Sequence, residues 1–565
     1  MVRDRAQTTY TGPFRAPLRF AALFGLALLR FALFGFDYLP LLDDHIQYFN
    51  YASLMGGLAE ATKRLGLLAA RPLAGVLDIA LWSKFWPNLF GAQVLLALVF
   101  TASALLLEKV LDETVGTSPL FVFLFLLLPV NYEATYWLSA ATRVIPGLFL
   151  AALAGRCALA CGKRPALIAV SGLCCLLAAG FYEQCFVIAA GMTALCGLAA
   201  AQSLLCAGLS LILPCTAFAG YTAFCAAMGP SALYGGRAAL ILPFRDAGYV
   251  SLHLPEVSHQ LGALGKALAA LPMRALRRLP SVLGERHVSV LLLLFLFVLI
   301  VPALQRSSAL RNAEEEGFSF AENLHTWGEG NRALLALFIG ALLTAASFAP
   351  FFVVAGPWIG LRALGAALPG LAIMGDALLR LAGAALRASE GLLRICSGML
   401  AAVMLLAGIS ELSDYRLTAE QDDALLAAVS AVLPQDAKRV ALLNLAPCYL
   451  PDQNYEWHEH LHGVTESRWA LTGALREKLQ RLEVPETTPL AQGQVYPEYA
   501  DDLPQYDAFY LIEGGGATVP EEISALPLTR VGPLFYDGTG RLRACLDGNA
   551  LTVYEETLHP ANETG

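Results

Sequence analysis

The sequence predicts an α-helical polytopic membrane protein with about eleven transmembrane helices and a small extracytoplasmic α/β domain at its C-terminal end. Three observations predict it. Apolar runs of about 20 residues recur before residue 410, each long enough to cross roughly 30 Å of hydrocarbon. Only 15% of the 565 residues are charged, against about a quarter in soluble domains, and mean hydropathy is +0.57. After residue 410 the composition turns polar and acidic, with short strand-like and helix-like stretches. The expected organisation is therefore 1–410 in the membrane and 411–565 outside it.

The spans are expected at 17–36, 87–108, 118–131, 144–161, 165–181, 185–201, 203–226, 287–304, 332–353, 360–383 and 391–410. The first is read as a retained helix and not as a cleaved signal. No small-residue cleavage site follows it, and it runs straight into charged sequence. Lys and Arg orient the set. Arg3, Arg5, Arg15 and Arg19 open the chain, "RCALACGKRP" holds Arg156, Lys163 and Arg164, and Arg380, Arg387 and Arg394 crowd another short connection. With an odd number of spans and the N-terminus inside, all three groups fall on the cytoplasmic side, as the positive-inside rule requires. The loop after residue 36 and the acidic tail then face out, in the cell membrane.

Three outward regions are large. In 37–86, "LAARPLAGVLDIALWSKF" is amphipathic and fits a helix lying in the interface. The region 227–286 carries Tyr234, Arg237, Arg245, Lys266, Arg274, Arg277 and Arg278. In the tail, "TAEQDDALLAAVSAVL" is expected to open a helix through a capping box of Thr418 and Gln421. "RVALLNL" and "DAFYLIE" read as buried strands, and "VTESRWALTGALREKLQRL" as a surface helix. "LFYDGTGRLRACLDGNALTVYEE" reads as hairpins with Asp-Gly turns. Gly514–Gly516 has no Lys or Ser/Thr at phosphate-loop spacing. All cysteines but two lie in apolar sequence and read as small packing residues. Cys448 and Cys545 alone lie in the tail, where a disulfide between them stays open. The net charge of −8 and the acidic tail argue against a nucleic-acid partner.

The informative polar residues sit at outward membrane ends. Asp43, Asp44 and His45 follow the first span. Arg71 in "ARPL" closes the next interfacial stretch. "NYEATYWLSAATR" puts Glu133, Tyr136, Trp137 and Arg143 between the third and fourth spans. "FYEQ" puts Tyr182, Glu183 and Gln184 between the fifth and sixth, and Arg362 stands near the outer end of the tenth. Taken singly, an outer-loop charge is a solvated charge and Trp137 a member of an aromatic belt. Their convergence on one face is what suggests more. An enzyme acting on a lipid-linked phosphate needs an interfacial carboxylate base, cations for the phosphate, and a bundle to hold both. Adjacent Asp43 and Asp44 point roughly 100° apart on a helix, so one acts and the other supports or caps. His45 is a second base or a ligand, but one His beside two carboxylates is a weak metal signature and no metal is expected.

This pattern resembles the GT-C superfamily of membrane glycosyltransferases over roughly residues 15–410. "DDHIQY" looks like that superfamily's acidic motif after the first helix, and the spacing to Tyr48 favours Asp44 over Asp43. "ARPL" looks like the basic-Pro turn before the second interfacial helix. "NYEATYWLSAATR" stands where relatives carry polar residues between helices three and four, and "GLRALGAALPGLAI" resembles the Arg-bearing entry to a late helix. "YEQ" is similar to the Tyr-Gln motif of the serotype-converting glucosyltransferase branch, with Glu183 inserted. The resemblance implies an inverting hexosyltransferase without cofactor. It would take sugar from a polyprenyl-phosphate donor and pass it to an envelope glycan, lipid or protein acceptor on the outer face. Asp44 would be the general base, with Asp43 and His45 beside it. Arg71, Glu133, Arg143, Tyr182, Glu183, Arg237 and Arg362 would be the substrate contacts. The competing reading is a non-enzymatic flippase or carrier for a lipid-linked sugar, which would also want charges deep in the bundle. The inner loops, such as "RNAEEEGFSF", look merely solvated.

Overall fold

The computed structural model describes residues 15–31, 35–51, 58–200, 204–230, 239–309, 328–434, 436–448, 458–513 and 523–554. The chain forms two compact units: Met1–Tyr38 with Gly56–Ser413, and Leu39–Met55 with Asp414–Gly565.

The first unit is helical. Its helices are α1 (Arg15–Leu29), α2 (Leu58–Leu65), α3 (Pro72–Ala80), α4 (Leu89–Thr114), α5 (Leu120–Leu127), α6 (Tyr132–Thr135), α7 (Leu138–Leu159) and α8 (Leu167–Phe181). There follow α9 (Glu183–Ala200), α10 (Leu204–Ala227), α11 (Leu254–Ala309), α12 (Glu329–Ser347), α13 (Leu364–Ala385) and α14 (Glu390–Val432), whose residues from Asp414 on belong to the second unit. Among the described residues, seven helical stretches are long and apolar enough to cross a membrane: Trp82–Thr114, Leu138–Gly162, Glu183–Ala200, Leu205–Ala227, Glu329–Ser347, Leu361–Ala385 and Glu390–Val432. Ala16–Leu29 and Leu167–Phe181 are shorter apolar helices. The expected span over 118–131 is cut short. Pro129 disfavours helical backbone in Leu128, which turns to ψ 119°, and α5 ends at Leu127. Eight residues reach only about 12 Å, and all eight are buried. An apolar helix buried on every side belongs to a core.

Small residues set how closely these helices approach. A Cβ on Gly340 of α12 would meet the Gly370 carbonyl of α13 at 2.8 Å, and one on Gly370 would meet the Gly340 carbonyl at 2.6 Å. Only glycine allows that backbone contact, which in a membrane is the main source of helix association.

The two ends of α7 differ in charge. Near its C-terminal end, Arg156 donates to both carboxylate oxygens of Glu113 at 3.0 Å. Arg19 reaches Glu108 on the same end of α4 at 2.6 Å. Arg380 donates to the Gly116 carbonyl just beyond it at 2.5 Å. Arginines from three distant parts of the sequence thus gather at one end of the bundle. The other end of α7 is marked by Trp137, and the Leu138 amide there donates to the Tyr38 hydroxyl at 2.8 Å. A helix of this length spans about 33 Å, close to the thickness of a bilayer core.

The second unit is built on a mixed sheet with strands β1 (Arg439–Leu443), β2 (Glu486–Leu490), β3 (Gly493–Gln494), β4 (Ala508–Glu513), β5 (Ser524–Val531), β6 (Leu534–Tyr536), β7 (Leu542–Asp547) and β8 (Ala550–Val553). Its helices are α15 (Arg468–Leu479) and α16 (Pro497–Asp501). The order is β2-β1-β4-β5-β6-β7-β8-β3. β1 pairs in parallel with β2 and β4, and the later pairs are antiparallel. β2 and β3 stand at opposite ends of the order, yet only Ala491 and Gln492 separate them in sequence. The sheet must therefore curl until its ends approach. Period-two alternation gives it two cores. Val440, Leu442, Tyr510 and Ile512 pack with Leu425 and Val429 of α14 and with Leu471 and Leu475 of α15. Ala441, Leu443, Phe509 and Leu511 face Phe535, Ala544, Leu546 and Leu551 inside the curl.

The strands and hairpins expected in the tail are present. The helix start at Thr418 is not. α14 runs unbroken from Glu390 to Val432, and Thr418 and Gln421 are buried in its interior. No proline interrupts that run and no glycine follows Gly408, so the apolar span and the expected tail helix continue as one. Cys448 and Cys545 are not joined by a disulfide. Gly514–Gly516 lie outside the described residues.

Candidate functional site

In the first unit, Arg71 is held from four directions. It is the N-cap of α3 and has φ 48° and ψ 54°, a left-handed conformation that a non-glycine residue adopts at a cost of about 1–3 kcal/mol. Its Nε donates to Glu183 Oε2 at 2.9 Å. Its guanidinium lies 4.4 Å from the centre of the Tyr182 ring. Its amide is 3.3 Å from the Tyr221 hydroxyl, which in turn donates to Glu183 Oε1 at 3.2 Å. Tyr221 comes from the last third of the apolar α10, where only its hydroxyl inside a hydrophobic run marks it in the sequence.

Arg362 approaches the same place from another part of the chain. Its amide donates to Glu133 Oε2 at 2.9 Å, and its guanidinium lies 5.6 Å from the Trp137 ring centre. Gln184 ties the two segments together by donating to the carbonyls of Ser347 at 2.9 Å and Ala363 at 3.2 Å. Burial raises the pKa of the Tyr182 hydroxyl, and the nearby charges of Arg71 and Arg362 pull it back. Five residues singled out in the sequence, Arg71, Glu133, Tyr182, Glu183 and Arg362, therefore share one neighbourhood. It lies at the end of α7 away from the gathered arginines.

Arg143 is committed elsewhere. Its Nη2 donates to Asp78 Oδ2 at 2.7 Å, and its Nη1 donates to the Ser139 carbonyl. Both side chains are buried, at 8% and 2% exposure. Burial pushes the Asp78 carboxyl up to about 6, and Arg143 offsets part of that. The pair pins α3 to α7. Arg237 lies outside the described residues.

Asp43, Asp44 and His45 belong to the second unit. Leu42, just before them, has φ 37°, again left-handed and non-glycine. A π-helical turn, His45–Asn50, follows at once. Such turns are rare and recur at functional sites. Asp44 is fully buried, and its Oδ2 accepts the Leu41 amide at 3.2 Å. Asp43 is only half-buried. His45 is buried, with Nδ1 3.7 Å from Glu477 Oε2 on α15. A Cβ on Gly473 of α15 would stand 3.3 Å from the His45 backbone.

Burial lowers the His45 pKa to about 4, and a hydrogen bond with the Pro40 backbone resists this. His45 is therefore neutral at pH 7, and its approach to Glu477 is not an ion pair there. The unfolded chain takes up this proton near pH 6.5 and the folded one only near 4. Stability is then full above pH 6.5 and falls as the pH drops toward 4, by about 3 kcal/mol from this group. Corrected for the slower intrinsic exchange at low pH, the protection of amides 41–51 should fall over that window, and His45→Gln should flatten the fall. An equal fall in His45→Gln would assign it to other groups.

Comparison with protein families, with curated proteins and with solved structures found no match to the chain.

Proposed function

We propose that the chain is an inverting membrane glycosyltransferase of GT-C type. It takes sugar from a polyprenyl-phosphate donor and passes it to an envelope glycan, lipid or protein acceptor on the outer face. The observation that carries this reading is the pairing of Arg71 and Arg362 about Tyr182, with Glu183 and Glu133 fixing their chain segments. Two guanidiniums, Arg71 over the Tyr182 ring and Arg362 over the Trp137 ring, at one membrane end suit a phosphate leaving group. They sit opposite the gathered Arg19, Arg156 and Arg380, so the positive-inside rule makes their end the outer one.

Eleven spans and an extracytoplasmic tail are part of the proposal. Residues 39–55 and 414–565 form one unit, and one unit lies on one side of a bilayer. The chain between them must then cross an even number of times. The seven long apolar helices all lie in that stretch, so at least one more crossing is needed, and Leu167–Phe181 supplies it. Eleven spans would need two further crossings in that stretch besides α1, one of them near 287–304 within α11; the short buried α5 does not supply the other by itself. A reporter active only in the cytoplasm, fused after residue 554, should stay silent. A strong signal would reverse the orientation.

We assign the general base to Asp43 and a holding role to Asp44. This reverses the order suggested by the spacing to Tyr48, because Asp44 is fully buried whereas Asp43 is only half-buried. The deciding experiment incubates purified protein with a panel of polyprenyl-phosphate sugars and follows transfer and hydrolysis. Arg71→Lys and Arg362→Lys keep the charge but lose the planar fork, and each should weaken donor binding by about tenfold. Normal donor binding in both variants would remove the phosphate site. Binding without turnover in the unaltered protein would favour a carrier.

A further inference from the structure

The acidic motif is separated from the C-terminal tail by nearly the whole membrane portion of the sequence, yet it folds with the tail. The π-helical turn His45–Asn50 packs against α15. The contact depends on a residue without a side chain, since a Cβ at Gly473 would press on the His45 carbonyl carbon, oxygen and Cβ, each at 3.3 Å. His45, Tyr48, Phe49 and Tyr51 in this segment are buried, and Glu477, near the His45 ring, lies one helical turn along α15 from Gly473. The motif itself is strained. Left-handed Leu42 and the π-helical turn bracket Asp43 and Asp44, and such conformations persist only where the surroundings over-determine them. Within this unit, the π-helical turn that follows them rests against α15.

We infer that α15 of the C-terminal domain is the platform that sets the position of Asp43 and Asp44, with Gly473 its central positioning residue and Glu477 a second. The domain is then a working part of the transferase and not an appendage. This rests on the reading of the aspartate pair as catalytic, but its structural half can be measured without any activity.

The test uses the full chain in detergent and two variants. Gly473→Leu drives a branched side chain into His45, and Gly473→Ala displaces it by a few tenths of an ångström. Gly473→Leu should raise hydrogen exchange of amides 41–51 by at least roughly tenfold, while amides of β1 and β4 keep their protection. Gly473→Ala should leave the fold intact and lower kcat severalfold, with KM for the donor unchanged, since small displacements of a reacting group are costly. Unchanged exchange in Gly473→Leu would overturn the platform. If that variant loses protection in the strands too, Gly473→Ala decides: a kcat equal to the unaltered chain, or a KM rising with it, would also overturn the inference. If the unaltered chain shows no transfer at all, the glycosyltransferase reading falls, while the exchange result still stands for or against the platform.

Discussion

Asp43→Asn is expected to leave the chain folded, inserted and able to bind donor, and to slow sugar transfer at least roughly a hundredfold. Asparagine keeps the shape and the hydrogen-bonding capacity of the side chain and removes only the basic charge. A positioned base contributes about 10²–10⁴-fold in rate, so the loss should appear in kcat and not in donor KM. Asp44→Asn should cost less, because an asparagine oxygen can still accept the Leu41 amide that Asp44 Oδ2 accepts now. The contrast between the two variants is the measurement. If Asp44→Asn is the dead one, the spacing to Tyr48 identifies the base and the buried carboxylate must become exposed in the complex. If neither slows transfer, the pair only shapes the strained turn, and the enzymatic reading loses its base.

Arg143→Ala is expected to reduce folded yield and thermal stability sharply, because it leaves Asp78 buried without its counter-ion. Breaking a buried pair from one side costs about 3–5 kcal/mol. The double variant Arg143→Gln with Asp78→Asn replaces both charges and should recover much of that loss. Thermal unfolding in detergent measures the effect. The double variant also decides what Arg143 is for. If it folds and binds polyprenyl-phosphate sugar normally, the guanidinium serves only to hold α3 against α7. If it folds but loses the donor, Arg143 reaches the phosphate as the sequence suggested.

The sequence exposes whatever is local. Helices were legible because about 20 apolar residues have few other uses. β1 and β4 were legible because a short apolar run between turn signals reads as a buried strand. Local reasoning failed where a local signal was outvoted. Thr418 and Gln421 form a sound capping pattern, but nothing upstream breaks the helix, so it passes through them. Pairing at a distance was the larger gap. Asp78 and Arg143 are each visibly polar in apolar surroundings, yet no periodicity couples them. Tyr221 looks like one aromatic among many until its hydroxyl meets Glu183. The site residues near membrane ends were readable as types. The Asp43–Asp44 segment gave no sign that its packing partner is α15, because Gly473 reveals a close approach only when the facing backbone is known.

The shared second unit has a consequence for how the protein is made. Residues 39–55 leave the ribosome among the first, and residues 414–565 leave it last. At roughly 5–20 residues per second, tens of seconds separate them. Throughout that interval Tyr48, Phe49 and Tyr51, which end fully or nearly buried, have no tail to cover them. A nascent chain with its helices inserted one after another must carry this aromatic segment unprotected, in the lipid headgroup layer or in the grip of a chaperone. A message cut short before the tail would strand it there for good. Such products should be cleared by quality-control proteases, even when every membrane helix has been synthesised and inserted.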